Sequence, residues 1–284
     1  MGSNPTAPAL VSVVITVRNE APHIGHLLDS LVSQDGPYEI VLVDAQSRDG
    51  TRERAEGFAQ RHPGLLRVFE RRGSRGVGRN LGVREARGEW VAFIDGDCFA
   101  DSQWLAKLRA AFPKGPVVAG RTVTVGRPRF ARLERVELYE EGYDVTYPSC
   151  NLAYRRELFE RLGGFDPRFI TAEDIDLNMR AVLAGAAIAY APDAVVYHHV
   201  RTTLVRFLMQ AFWNGYGRKQ LTEKQGRLWS RYRVRQLISG QKGLVAWLRL
   251  TAAIAGYATR VLTGGDRRLT SAPNGRAPNN AKPT

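Results

Sequence analysis

Two carboxylates separated by one glycine, Asp95-Gly96-Asp97, close the apolar run Trp90-Val91-Ala92-Phe93-Ile94. A short apolar run ended by a turn signal reads as a buried parallel strand. Both acids therefore fall at its carboxyl end, the edge at which open α/β sheets bind ligands. Carboxylates two positions apart can supply oxygens to a hard divalent cation such as Mg2+ or Mn2+. A nucleoside diphosphate is the natural third party, because its charge needs a metal or several arginines to neutralise it. Asp-Gly is also a common turn dipeptide, so the pair takes its meaning from its surroundings.

Those surroundings alternate strand and helix. Leu10 to Val17 is β-branched and nearly continuous in its apolar character, which predicts a central parallel strand ending at Arg18-Asn19-Glu20. Ile24, Leu27, Leu28, Leu31 and Val32 then recur at helical spacing. Glu39 to Val43 forms the next strand, followed by Asp44 and a polar turn in which Asp49 or Thr51 can cap a helix running to about Arg61. Leu65 to Phe69 predicts a third strand. Gly76-Val77-Gly78-Arg79-Asn80-Leu81-Gly82 follows three strands instead of opening the chain, so it is discounted as a dinucleotide fingerprint. Its glycines suit either a loop passing close to a ligand or a helix N-terminus, and Arg79 can pair with phosphate or with a carboxylate of the site. Trp104, Leu105, Leu108 and Phe112 form another helical stripe, Val117 to Val125 and Ala187 to Tyr197 read as strands, and Phe130 to Tyr143 reads as a loop or short helix covering the site. The expected fold is α/β: a doubly wound, mostly parallel sheet with right-handed crossovers.

The charge is unevenly placed. The formal net charge of +13 divides into 25 basic and 26 acidic residues over Met1 to His199, against 16 and 2 over Val200 to Thr284. A near-neutral body with a strongly basic end points to an anionic surface, membrane phosphate or nucleic acid. Two cysteines, Cys98 and Cys150, offer no disulfide framework, so a reducing, cytoplasmic setting is expected. Met1 to Ala9 has neither a basic nor an apolar region of signal-peptide type. The expected organisation is a disordered 1–9, a catalytic domain over 10–199, a basic amphipathic helical segment over 200–262 and a disordered tail over 263–284.

Taken in order, Val14-Ile15-Thr16-Val17-Arg18-Asn19-Glu20, Val41-Leu42-Val43-Asp44, Arg79-Asn80-Leu81-Gly82 and Phe93-Ile94-Asp95-Gly96-Asp97 are followed by Cys150-Asn151-Leu152, Gly163-Gly164-Phe165-Asp166 and Glu173-Asp174-Ile175-Asp176 with Arg180. This ordered set, over roughly Val11 to His199, resembles the family 2 glycosyltransferases, inverting enzymes with the GT-A nucleotide-diphosphosugar transferase fold. The resemblance implies a nucleotide-sugar donor, a hydroxyl acceptor (glycan, lipid-linked or small molecule) and Mg2+ or Mn2+. It implies that Thr16, Arg18 and Glu20 line the base and ribose pocket, that Asp44 contacts the base, and that Arg79 lies near the diphosphate. Asp95 would lie near the ribose or metal, Asp97 would be the principal metal ligand, and Asp174 of the Glu173-Asp174 pair would be the general base. A histidine at the end of the last strand, His198 in preference to His199, would complete the metal shell; adjacent strand residues face opposite ways, so not both. Ala45-Gln46 stands where many relatives have Asp-Gly, which leaves UDP- and GDP-sugars both open. The physical logic agrees: a cation stabilises charge developing on a departing diphosphate, and a carboxylate can take the proton of an attacking hydroxyl. Acids in a first helical turn are also favoured by the helix dipole without any catalytic role.

Beyond His199, Leu204 to Trp213 is aromatic and basic, and Gly243 to Leu262 approaches membrane-spanning length but carries Arg249 and Arg260 on one face. Such helices suit the membrane interface better than its interior, which places the protein peripherally on the cytoplasmic face; packing on the catalytic domain with arginines in solvent is the other arrangement. A nucleotidyltransferase would carry a glycine-rich basic loop where Arg18-Asn19-Glu20 stands. A nucleic-acid-binding protein accounts for the charge but leaves the placed carboxylates without purpose, so nucleic acid is disfavoured as a partner.

Overall fold

The computed structural model describes residues 9–126, 136–199, 203–226, 228 and 243–263. β1 (Val11–Val17), α1 (Ile24–Val32), β2 (Tyr38–Asp44), α2 (Thr51–Arg61), β3 (Leu66–Glu70), α3 (Arg75–Glu85) and β4 (Trp90–Asp95) alternate as the apolar pattern requires. All strand pairs among them are parallel. Then follow β5 (Cys98–Ala100), α4 (Trp104–Ala111), β6 (Val117–Val125), β7 (Tyr139–Glu140), β8 (Tyr143–Asp144), β9 (Leu152–Arg155), α5 (Arg156–Arg161), α6 (Glu173–Leu183), β10 (Ile188–His199), α7 (Leu204–Gln225) and α8 (Leu244–Leu262). The main sheet has eight strands in the order β3-β2-β1-β4-β9-β6-β10-β5.

Only its first half is purely parallel. β9 lies antiparallel between β4 and β6, and β5 folds back antiparallel on β10. The β5 return is what brings Cys98 opposite His198. β7 and β8 form a small antiparallel ribbon where a loop or short helix was expected; residues 127–135 lie outside the described residues, as do all but residue 9 of the expected disordered 1–9, all but residue 263 of the expected tail 263–284, and residues 200–202, 227 and 229–242 of the expected helical segment.

Strand alternation divides the core in two. Val11, Val13, Ile15 and Val17 of β1 face α1 and α4, whereas Val14 faces the side carrying Phe93, Phe165 and Leu177. Each such side chain, fully buried, is worth about 1.5–3 kcal/mol. The glycines that the sequence left open between a ligand loop and a helix N-terminus lie on α3 and set how closely it packs on the sheet. A Cβ at Gly78 would stand 2.9 Å from Thr16 Cγ2, and one at Gly82 would overlap Val14.

α7 and α8 cross where both lack side chains: a Cβ at Gly215 would overlap the Ala253 carbonyl, and one at Gly256 that of Phe212. In α8 Arg260 does not lie in solvent, where the packed arrangement weighed from the sequence would have it. Arg260 is buried against Glu223 (2.9 Å) and the Tyr216 hydroxyl (3.1 Å), while Trp247, Ile254 and Val261, seven residues apart, are each more than half exposed. Among the described residues, no helix is long and apolar enough to cross a membrane.

Candidate active site

The carboxyl ends of β1, β2 and β4 are stapled into one rim by loop side chains. Asn19, in the left-handed conformation at φ 57°, donates its N–H to Ser47 Oγ (2.8 Å) and accepts from the Arg48 N–H (2.9 Å). Thr51 Oγ1 accepts from the Glu20 N–H, and Asp49 from the Ala21 N–H. The polar turn after β2 thus fixes the loop that carries Arg18 and Glu20. Asp44 is buried, and its carboxylate accepts from both the N–H (2.9 Å) and the hydroxyl (2.5 Å) of Ser47. It shapes the turn from behind; its neighbours Val43 and Ala45 line the cleft.

Gly96 between the two acids has a local cause. A Cβ there would meet Val17 Cγ1 at 2.8 Å and Glu20 Cγ at 3.0 Å, so the tight turn out of β4 leaves no room for a side chain. On either side of it the acids part company. Asp95, in register with Thr16, accepts from Arg79 at 2.6 Å. Asp97 instead faces the other half of the sheet, where Asp97 Oδ2 lies 3.4 Å from His198 Nε2.

Arg79 is only 2 % exposed and forks between Asp95 and Glu173 (2.8 Å), its guanidinium 5.3 Å from the centre of the Phe165 ring. Of the two roles open to it from the sequence, pairing with a carboxylate is the one observed. Burial opposes its charge, but the two acids hold its pKa above the ordinary value. Asn80 accepts from the Phe165 N–H (2.9 Å) and donates to the Phe165 carbonyl (2.7 Å), which seats that ring over Arg79. Arg75, exposed at the first turn of α3, lines the cleft, a position its sequence context did not single out.

α6 starts from Ala172, which at φ 66° is left-handed without being glycine. That start separates three acids. Glu173 turns back to Arg79; burial raises its pKa. Asp176 is fully buried and anchored by Arg180 and Lys224 (both 2.9 Å), with Gln225 also donating to it. Asp174 faces the cleft, where its two oxygens accept from the Ser149 N–H (3.1 Å) and the Ile175 N–H (2.9 Å). α7 clamps this region: Lys224 also pairs with Asp166 (2.8 Å), Gln220 bridges the backbone of Arg168 and Ile170, and Thr171 Oγ1 donates to the Trp213 carbonyl. Nothing in the local sequence ties Lys224 to Asp176, 48 residues away.

Asp97, Cys98 and His198 present potential ligand atoms all within 4.8 Å of one another. Burial lowers the pKa of His198, but the hydrogen bond and charge of Asp97 outweigh it and hold the imidazole up at about 9. A cation there would exchange with that proton. The Asp97 oxygen suits Mg2+ or Mn2+, and the His198 nitrogen favours the transition metal of the two, whereas Cys98 is a buried thiol in hydrogen-bond contact with Cys150, kept protonated by that contact and by burial. The two cysteines, 52 residues apart in sequence, are therefore neighbours in space. Asp95, tied to Arg79, lies outside this cluster among the described residues. His199 faces away and stacks on His23 with ring centres 4.8 Å apart.

Thr16, Arg18, Glu20, Asp95 and Asp97 line one end of a single cleft of about 1240 Å³ that continues past Glu173, Asp174 and His198 to α7 and α8. A mixed sheet with this rim is that of a GT-A glycosyltransferase. Sequence models agree: that of glycosyl transferase family 2 matches residues 12–163, and that of glycosyl transferase family group 2 matches residues 90–265. The chain belongs to glycosyl transferase family 2. It is 31% identical over 205 residues to the glycosyltransferase AglE of Haloferax volcanii, covering 67% of each chain. It is 30% identical over 223 residues to the pre-mycofactocin glycosyltransferase of Mycobacterium tuberculosis, spanning 72% of this chain but only 46% of that one. Among solved structures it is similar to the mannosyltransferase PcManGT of Pyrobaculum calidifontis in complex with GDP-Man and Mn2+, with TM-score 0.64, 26% identity and coverage of 93% and 78%. S. aureus TarS in complex with UDP shares the fold, with TM-score 0.56, 22% identity and coverage of 91% and 73%.

Proposed function

We propose that the protein is an inverting glycosyltransferase that moves a sugar from a UDP- or GDP-sugar to an acceptor hydroxyl with the help of Mg2+ or Mn2+. The observation that carries this reading is that one cleft is lined both by the Asp97–His198 pair and by Asp174, a cation-holding end and a proton-accepting end. PcManGT, with its GDP-Man and Mn2+, supports the donor class and the divalent ion. Thr16, Arg18 and Glu20 are assigned to the nucleoside, and Arg75 takes the diphosphate-facing position left by the buried Arg79. Asp97 and His198 would hold the cation, which when bound supplies a Lewis acid to the departing diphosphate.

Asp174 is the base. Glu173 is already engaged by Arg79, whereas each oxygen of Asp174 accepts one backbone N–H, leaving it fixed in direction and able to receive a proton. Attack opposite the leaving diphosphate inverts the anomeric centre. The exposed apolar stripe of α8, with Leu204, Val205 and Met209 of α7, fits a peripheral seat on the cytoplasmic face of an anionic membrane.

A thermal-shift titration with UDP-, GDP- and dTDP-sugars, with and without Mn2+, tests the reading, since ligands that bind only the native state raise the melting temperature. A metal-enhanced shift by a UDP- or GDP-sugar is expected; no shift from any of them would overturn it.

The proton on His198 predicts how metal binding depends on pH. Below about 9 the cation must displace one proton, so its apparent affinity is expected to rise about tenfold per unit between pH 7 and 8.5. His198→Ala is expected to flatten that slope and weaken Mn2+ binding; calorimetry across the range reads both.

A further inference from the structure

β10 does not run straight along the sheet. Ile188 to Ala191 pair in parallel with Val117 to Gly120 of β6, whereas Val195 to His199 pair with Arg121 to Val125. Pro192, Asp193 and Ala194 are therefore looped out between the two stretches. Paired residues of a ladder share a side and side chains alternate along a strand, so an insertion of odd length reverses which of two neighbours faces a given side. The core records the reversal: Ala189 and Ala191 lie with Val118 on one side before the loop, and Val196 lies on that same side after it. By the same alternation His198, paired with Thr124, takes that side and meets Asp97, while His199 turns away. An uninterrupted strand would have kept its odd-numbered residues, His199 among them, on the side of the site.

The loop is held by one side chain. Asn151, fully buried in the turn that precedes β9, donates from Nδ2 to the Arg121 carbonyl (3.0 Å) and the Ala194 carbonyl (2.9 Å), one on each strand where the register shifts. Its Oδ1 accepts from Trp104 Nε1 on α4 (2.8 Å). An indole N–H only donates, so the amide sits with its oxygen toward Trp104 and its two N–H groups toward the strands. Gly120 makes room for it: a Cβ there would stand 2.4 Å from both the Asn151 side chain and the Ala194 carbonyl.

Resting on the assignment of Asp97 and His198 as the cation-holding pair, we propose that Asn151 is the positioning residue for His198. It fixes the looped-out segment of β10, whose odd length turns that imidazole, instead of its neighbour, toward Asp97. Asn151 lies outside the cleft lining, so it acts on the cation only through His198.

The test is a double-mutant cycle in the full chain, read by calorimetric titration of Mn2+, with cooperative thermal unfolding as the control for folding. Asn151→Ala is expected to weaken Mn2+ by about tenfold or more, as loss of a group that orients a ligand does. In the His198→Ala background the same substitution is expected to change the affinity by less than about twofold, because its effect has no other route. If Asn151→Ala lacks a cooperative transition, Trp104→Phe decides by the same cycle, since it removes the N–H that orients the amide and keeps an aromatic ring. About threefold weaker Mn2+ binding, absent in the His198→Ala background, is then expected. Unchanged Mn2+ affinity in the deciding variant, or an equal loss with and without His198, would overturn the proposal and show a role in stability alone. Those results leave the parent's Mn2+ binding and its loss in His198→Ala intact, whereas a parent that binds no Mn2+ takes down the cation assignment and this inference together.

Discussion

Asp174→Asn is expected to lower the transfer rate by about 10²–10⁴-fold, the usual contribution of a positioned general base, while sugar-nucleotide affinity stays within about threefold. The geometry supports that separation. Asp174 lines the cleft at the start of α6, whereas the residues proposed to bind the nucleoside sit at the end of β1. An asparagine keeps a carbonyl for one of the two N–H groups that Asp174 accepts and presents an amide to the other, so the structural cost is about one hydrogen bond, roughly 1 kcal/mol. Melting temperature should therefore change little, and the loss should fall on kcat. A variant with near-normal turnover would remove Asp174 from the chemistry and return attention to Glu173.

Arg79→Met is expected to have the largest effect on stability. Removing one partner from a buried ion pair leaves an uncompensated charge and costs about 3–5 kcal/mol, equivalent in a chain of this size to a fall in melting temperature on the order of 10 °C. Here one guanidinium serves two acids from different elements, Asp95 at the end of β4 and Glu173 at the start of α6. Adding Glu173→Gln to Arg79→Met should recover part of the loss, because Glu173 is the acid that burial already pushes toward its neutral form. Denaturant unfolding of the two variants reads this directly. If the single substitution melts like the parent, the pairing contributes nothing and Arg79 is freed for another role.

The first half of the fold was legible because its signals are local. The continuous apolar character of β1, β2 and β4 and the helical spacing between them are written within single segments. The second half was less so. β9 is four residues long, and its antiparallel course between β4 and β6 follows from no period in the chain. In the site, Asp97 and Asp174 both line the cleft. Arg79 and Asp44 stand behind it, because whether an arginine reaches a ligand or a neighbouring acid depends on which acids fold against it, and spacing carries no record of that. The inward turn of Arg260 was hidden for a related reason: an arginine stripe reads as a wet face until Glu223 and Tyr216 are found to receive its guanidinium. The placing of Cys98 opposite His198 was likewise invisible, since it arises from β5 folding back on β10.

Ala172 ties two parts of the molecule together energetically. A non-glycine residue held left-handed costs on the order of 1–3 kcal/mol and persists only where the surroundings impose it. Here the surroundings are α7, through Thr171, Gln220 and Lys224. The aim of the Asp174 carboxylate is therefore sustained by a helix that also forms the far wall of the cleft. Thermodynamic reciprocity then runs both ways: whatever settles α7 into place favours the left-handed start of α6, and whatever loosens it lets the strained residue relax and the Asp174 carboxylate turn with it.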